Sequence, residues 1–324
     1  MRYRALGSSG LRVSVIGLGS WLTYGRSVPD GTAEACLTRA YELGVNFFDT
    51  ANVYARGEAE NTLGRWLRRI PRSDVVVATK VFFPVGEGAN DRGLSRKHIM
   101  EQCHASLRRL DLEYVDLYQC HRYDETVPLE ETLRALDDLI TQGKILYAGV
   151  SQWSAAQITD ALRIQERLGL RRLVSNQPQY SLIARGIEEE VVPRSLAEGV
   201  GQVVWSPLAG GALTGKYLPG RPPPTGSRGA DDAASAFMTE SLAEDVLEAV
   251  QKLGREVAGP LGLSTAQLAL AWTLRQPGIA SAIVGATSVK QVEENVAAAE
   301  IDLDHDALLR IENIMGPFRV RAQA

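Results

Sequence analysis

The chain has 324 residues, 45% of them apolar and 23% charged, an ordinary balance for a soluble globular protein with ample length to bury a core. Thirty-five Lys plus Arg against 39 Asp plus Glu give a net charge of −4, and with no basic block this excludes nucleic acid as the expected partner. No window approaches the about 20 apolar residues that span a bilayer. The charged start Met1–Leu6 lacks a signal-peptide apolar stretch, and three cysteines without a CxxC pair suit a reducing compartment, so a cytoplasmic, membrane-free protein is expected.

Strand-like and helix-like segments alternate along the whole chain. Val13–Leu18 predicts a strand and Thr32–Leu43 a helix; Asn46–Thr50 a strand and Glu58–Arg69 a helix that stops before Pro71. Val75–Lys80 precedes a helix opening on a Ser95 cap, and Tyr114–His121 precedes a helix over Leu129–Gln142 that Gly143 closes. Then follow strand Ile145–Ser151, helix Ala155–Leu168, strand Leu173–Asn176, helix Ile187–Glu198, strand Gln202–Ser206 and strand Ala280–Val284. Helices are also expected at Leu242–Ala258, Thr265–Arg275 and Asp304–Met315. Eight short strands, apolar on both faces and separated by amphipathic helices, predict a parallel sheet closed into a (β/α)8 barrel. An open doubly wound sheet would show a Gly-rich turn after its first strand, and Gly17-Leu18-Gly19-Ser20-Trp21-Leu22 lacks the third glycine of GxGxxG. Leu208–Thr239 is a long Gly/Pro-rich connection after the seventh strand, expected to overhang the mouth and to move.

Asp49, Tyr54, Lys80 and His121 lie at or just past the ends of successive strands, which a barrel brings to one mouth. Together they suit carbonyl reduction: Tyr54 as the acid, Lys80 lowering its pKa, Asp49 holding the Lys80 charge, and His121 on the substrate oxygen. Singly, each has a plain reading as a cap, a loop aromatic, a solvated strand end or a core histidine; the joint placement favours chemistry. The four histidines show no HExxH or Cys/His clustering, so no metal is expected. Gly210–Lys216 resembles the start of a P-loop, but Tyr217 stands where the Mg²⁺-binding hydroxyl belongs.

Gly44–Tyr54 continuing to Glu60-Asn61-Thr62-Leu63-Gly64 resembles the signature of the aldo-keto reductases. Thr79-Lys80, Gln119–Arg122, Asn176-Gln177, Trp205–Leu208, Gly215-Lys216-Tyr217 and Gly285-Ala286-Thr287 extend the likeness over nearly the whole chain. Within that family it looks most like bacterial relatives of the potassium-channel β subunits. The resemblance implies NADPH (NADP+) extended across the carboxyl mouth and a small carbonyl substrate, and it allows a homo-oligomer. It also implies Ser151, Asn176 and Gln177 on the nicotinamide carboxamide and Tyr180 stacked near its ring. Gly19, Ser20, Trp21 and Asp49 would approach the cofactor from the first strands. Trp205, Ser206, Pro207, Leu208, Ala209, Gly215, Lys216 and Arg228 would line the phosphate path, with Gly285, Thr287, Gln291, Glu294 and Asn295 at the adenosine end. Trp21, Tyr24, Phe82 and Tyr123 would line the substrate pocket. Two departures stand out. Gln291 and Gly285-Ala286-Thr287 replace the Lys-Ser pair and Arg that many members use on the 2′-phosphate, leaving Lys216, Arg228 or Lys290 for it. Channel β subunits often carry Asn where this chain has His121, which favours an enzyme over the alternative, a nucleotide-sensing partner subunit. The expected architecture is one domain over 1–324: a (β/α)8 barrel with an N-terminal β-hairpin and extra helices after strand seven and at the C-terminus.

Overall fold

A computed structural model describes residues 1–26, 28–231, 235–236 and 238–319. The chain opens on an antiparallel hairpin, β1 (Tyr3–Ala5) and β2 (Arg12–Ser14). Eight parallel strands then close on themselves: β3 (Ile16–Gly19), β4 (Phe47–Asp49), β5 (Val76–Val81), β6 (Val115–Cys120), β7 (Ile145–Ser151), β8 (Ser175–Gln177), β9 (Gly201–Trp205) and β10 (Ile279–Val284), which pairs back onto β3. Helices α1 (Asp30–Glu42), α2 (Glu58–Leu67), α3 (Arg96–Leu110), α4 (Leu129–Thr141), α5 (Ala155–Leu168) and α6 (Val191–Glu198) follow β3 to β8 in turn. After β9 come α7 (Glu244–Leu253) and α8 (Thr265–Leu274), and after β10 come α9 (Val289–Ala297) and α10 (His305–Met315). The expected barrel, hairpin and extra helices are all present, and among the described residues no helix is long and apolar enough to cross a membrane.

β5 and β6 are buried along their whole length because helices cover one face and the lumen fills the other. At the amino end the lumen is plugged by Phe47, Ala78, Leu117 and Val203, and the hairpin adds Leu6 and Val13 beneath them. Gly17 makes room for this plug, since a Cβ there would stand 2.7 Å from Phe47 Cδ1.

Three boundaries differ from expectation. The run Val13–Leu18 is two strands, broken where Ser14 Oγ donates to the Ile16 carbonyl at 2.7 Å, so one half serves the hairpin and the other the barrel. The predicted helix Ile187–Glu198 is a 3₁₀ turn at Gly186–Glu188 and then α6, with Pro193 in its first turn, where no N–H is needed. Leu208–Thr239 is not one open loop: Ala209–Thr214 and Arg228–Ala230 form 3₁₀ turns, and Ala212, Leu213 and Tyr217 are buried. Residues 232–234 and 237 of that stretch lie outside the described residues.

Candidate functional site

The carboxyl end of the barrel is where the backbone is held away from its relaxed conformations. Of the non-glycine residues with positive φ among the described residues, Leu22, Ala55, Arg56, Gln152, Ser206 and Ala209 all follow the ends of barrel strands, and only Asp111 sits elsewhere. Such strain concentrates where a structure over-determines a side chain's position. Tyr54 stands immediately before one such turn: Ala55, Arg56 and Gly57 have φ of 48°, 56° and 93°. Gly57 is required there, because a Cβ would also meet Arg109 Cδ at 2.8 Å.

The four predicted groups meet at this mouth. Lys80, fully buried on β5, donates from Nζ to Asp49 Oδ2 at 2.5 Å, to the Thr50 carbonyl at 2.9 Å and to the Tyr54 hydroxyl at 3.3 Å. The Tyr54 hydroxyl also lies 3.4 Å from His121 Nε2, just past the end of β6. Asp49 Oδ1 accepts from Gln177 Nε2 at 2.9 Å and from Gln119 Nε2 at 3.4 Å. The carboxylate is therefore fixed on both oxygens and the ammonium on three sides.

Burial pushes the Tyr54 phenol above its ordinary value, and the Lys80 ammonium pulls it only partly back. Lys80 alone suggested a net lowering from sequence; the desolvation of the pocket reverses the sign and leaves a protonated phenol, the form an acid must have. Burial lowers Lys80, but Asp49 and Tyr54 more than restore it, so it stays an ammonium. Burial, and then the charges of Lys80 and Arg122, hold the His121 imidazole well below its ordinary value, so it is neutral.

That neutrality predicts a pH effect on stability. His121 and the buried His98 both have lowered folded values, while in the unfolded chain each titrates near about 6.5. Protons then favour the unfolded state: stability is full above about pH 6.5 and falls as pH drops from there toward the depressed folded values. A melting series should be flat from about pH 8 to 7 and decline from about 6.5 to 5.5, the decline being shallower in His121→Asn. A melting temperature that rises on acidification through that window would refute the assignment.

Glu60 and Thr79 lie in blocks that carry the family resemblance, but nothing in the sequence assigned them a role at the site. Glu60 on α2 is fully buried; Thr79 Oγ1 donates to one of its oxygens at 2.6 Å and Arg109 Nε to the other at 2.6 Å. Thr79 adjoins Lys80, and Arg109 packs on Gly57 beside the Tyr54 turn, so this pair braces both. Glu60→Gln keeps the volume and removes the charge. A loss of about 2–3 kcal/mol in urea unfolding is expected, below the about 3–5 of a fully buried pair because Arg109 remains partly exposed. A loss under about 0.5 kcal/mol would make the pair incidental.

The rim gathers other predicted residues. Trp21 and Trp205 meet edge-on at 6.3 Å, and Arg228 reaches back to donate to the Trp21 carbonyl at 3.4 Å. Gly285 admits that guanidinium: a Cβ there would stand 3.0 Å from Arg228 Nη2. Gly211 likewise admits Lys216, whose Nζ a Cβ would meet at 2.9 Å. Among the described residues neither cation has a carboxylate partner: Arg228 lies over the Trp21 ring against Gly285 and Lys216 over the Tyr217 ring against Gly211, two cations on a glycine-lined rim that suits phosphate oxygens. Thr287 donates through its N–H and hydroxyl to Gln291 Oε1 at the start of α9, with Glu294 and the buried Asn295 one turn on. Gly19 and Ser20 are buried, and the Ser20 hydroxyl donates to Thr50 Oγ1 at 2.9 Å. Phe82 and Tyr123 are half-buried beside Phe83 and Trp153. A hollow of about 470 Å³ lined by Arg4, Gly7, Ser8 and Pro277 lies at the opposite end and holds none of these groups.

Three residues depart from expectation. Ser151 and Gln177 are register partners on β7 and β8, but Asn176 precedes Gln177 on the same strand and so points to the other face. There its amide donates to Gln202 and accepts from the Trp153 N–H. Tyr180 has no accessible surface: it stacks on Trp272 at 5.3 Å and donates to Glu188 at 2.5 Å, leaving no open face for a second ring. Tyr24 is packed into the core near Cys36 and does not line an open pocket.

Comparison with known proteins agrees with this geometry. The profile described as "Aldo/keto reductase family" matches residues 15–315. A protein of Oryza sativa subsp. japonica named "Probable voltage-gated potassium channel subunit beta" is 46% identical over 304 residues, 93% of this chain and 92% of the relative. One of the same name from Arabidopsis thaliana is 44% identical over the same shares, and a similarly named protein of Schizosaccharomyces pombe is 41% identical over 97% of this chain and 93% of its own length. These relatives are eukaryotic, where the sequence pattern had pointed to bacterial ones; the likeness to channel β subunits itself holds. With its barrel, its mouth and its matched length, the chain belongs to the aldo/keto reductase family.

Proposed function

We propose that the protein is an NADPH-dependent oxidoreductase that reduces aldehyde or ketone carbonyls to alcohols, with Tyr54 as general acid. The observation that carries this reading is the Tyr54 hydroxyl set between Lys80 Nζ and His121 Nε2. NADPH, when bound, supplies the hydride. Tyr54 gives its phenolic proton to the carbonyl oxygen as charge builds there, and Lys80, anchored by Asp49, stabilises the phenolate left behind. Neutral His121 presents Nε2–H to the same oxygen. Ser151 and Gln177 would hold the nicotinamide amide, and Lys216 and Arg228 the phosphates. The test is steady-state NADPH oxidation against a panel of small aldehydes and ketones, with carbonyl-dependent turnover expected and none counting against the reading. Arg228→Ala should weaken NADPH about tenfold in a fluorescence titration, the loss of one charge-assisted hydrogen bond. An unchanged Kd would remove Arg228 from the phosphate path.

A second reading follows from the relatives' names: a nucleotide-sensing partner subunit with slow turnover. It predicts tightly held NADP(H) through purification and a stable oligomer. Rapid aldehyde reduction by a monomer would exclude it.

A further inference from the structure

The residue after His121 carries a charge that the chemistry above does not use. Arg122 is half-buried where the chain leaves β6, its Nη1 donating to the His121 carbonyl at 2.7 Å and its guanidinium 5.3 Å from the Phe83 ring centre. Phe83 in turn meets the His121 ring edge-on at 4.8 Å. Both anchors are neutral, and together they hold the cation beside the catalytic pair. Its field reaches both the Tyr54 hydroxyl and the His121 imidazole.

Among the described residues no carboxylate pairs with Arg122. The nearest acid in sequence, Asp124, is committed elsewhere, accepting from the Leu94 N–H, the Thr126 N–H and the Thr126 hydroxyl. Arginine presents five N–H donors in a planar fork, and the His121 carbonyl takes only one group of them. Burial, opposed only weakly by Tyr54, lowers its pKa, as expected of a cation removed from water without a counter-ion. Fully buried charges are ordinarily paired, whereas Arg122 is only partly withdrawn from water and keeps donors free for an anion. Here the open donors belong to the residue that follows His121, and their charge acts on both His121 and Tyr54.

We propose that Arg122 is an anion-binding subsite of the substrate pocket, and that the preferred substrates are aldehydes or ketones bearing a carboxylate or phosphate close to the reacting carbon. This rests on the carbonyl-reductase reading. The planar fork suits the paired oxygens of either anion. The competing account is that Arg122 only packs Phe83 against His121.

Matched substrate pairs separate the two accounts: butanal against succinic semialdehyde for carboxylate, and glycolaldehyde against glycolaldehyde phosphate for phosphate. The wild-type protein should favour the anionic member of at least one pair by about tenfold or more in kcat/KM. Arg122→Gln should bring that ratio close to one, and Arg122→Lys should keep part of it. A wild-type ratio near one in both pairs, or an equal loss for both members in Arg122→Gln, overturns the proposal. If no carbonyl is turned over, it is the oxidoreductase reading that fails, and the subsite is judged separately by calorimetry of succinate and inorganic phosphate on NADP+-loaded protein. Binding that is present in the wild type and lost in Arg122→Gln upholds the subsite, and no binding overturns it.

Discussion

Tyr54→Phe should lower kcat about a thousandfold while NADPH binding stays within about twofold of wild type, a general acid being worth about 10²–10⁴ in rate. The ring stays, so packing against Lys80 and His121 is kept and only the proton and its hydrogen bonds are lost. Neutral His121 cannot substitute efficiently, since its depressed basicity leaves no imidazolium to donate. Stopped-flow NADPH oxidation measures the rate and fluorescence titration the binding. Wild-type turnover in this variant would exclude Tyr54 as the acid.

Lys80→Met should affect both stability and rate. It leaves Asp49 buried without its cation, a loss expected to cost about 3–5 kcal/mol in urea unfolding, toward the lower end because Gln177 and Gln119 still donate to the carboxylate. Turnover should fall about a hundredfold or more, because the phenolate would form without its ammonium. Asp49→Asn combined with Lys80→Met removes both charges, so stability should largely return while activity does not. A double variant no more stable than Lys80→Met would show that the buried carboxylate is not the source of the loss.

The barrel and the four mouth residues were legible because strand ends are local: an apolar run ending on Asp49, Lys80 or His121 reports both the strand and the residue's place on it. What failed needed knowledge of a distant partner. The break at Ser14 depends on β2 pairing with β1 and β3 pairing with β10. Glu60 shows its importance only when Thr79 and Arg109 arrive. Tyr24 was expected in the pocket for its aromatic character and Tyr180 near the nicotinamide through the resemblance alone; burial decided for the core in both. Asn176 is a different case: the strand was expected to end there, whereas β8 runs on through Gln177 and its two-residue period sends the two side chains to opposite faces. Arg122 stood inside the matched block Gln119–Arg122 without a role of its own, because its lack of an acidic partner among the described residues is a property of three dimensions.

The most direct test is isotopic. NADPH carrying deuterium at both C4 positions is incubated with the protein and an aldehyde, and the alcohol is analysed by mass spectrometry. One deuterium on the carbinol carbon per NADPH consumed, with formation about a thousandfold slower in Tyr54→Phe, is the predicted result. Alcohol without deuterium, NADPH loss without alcohol, or no turnover across the carbonyl panel would contradict it.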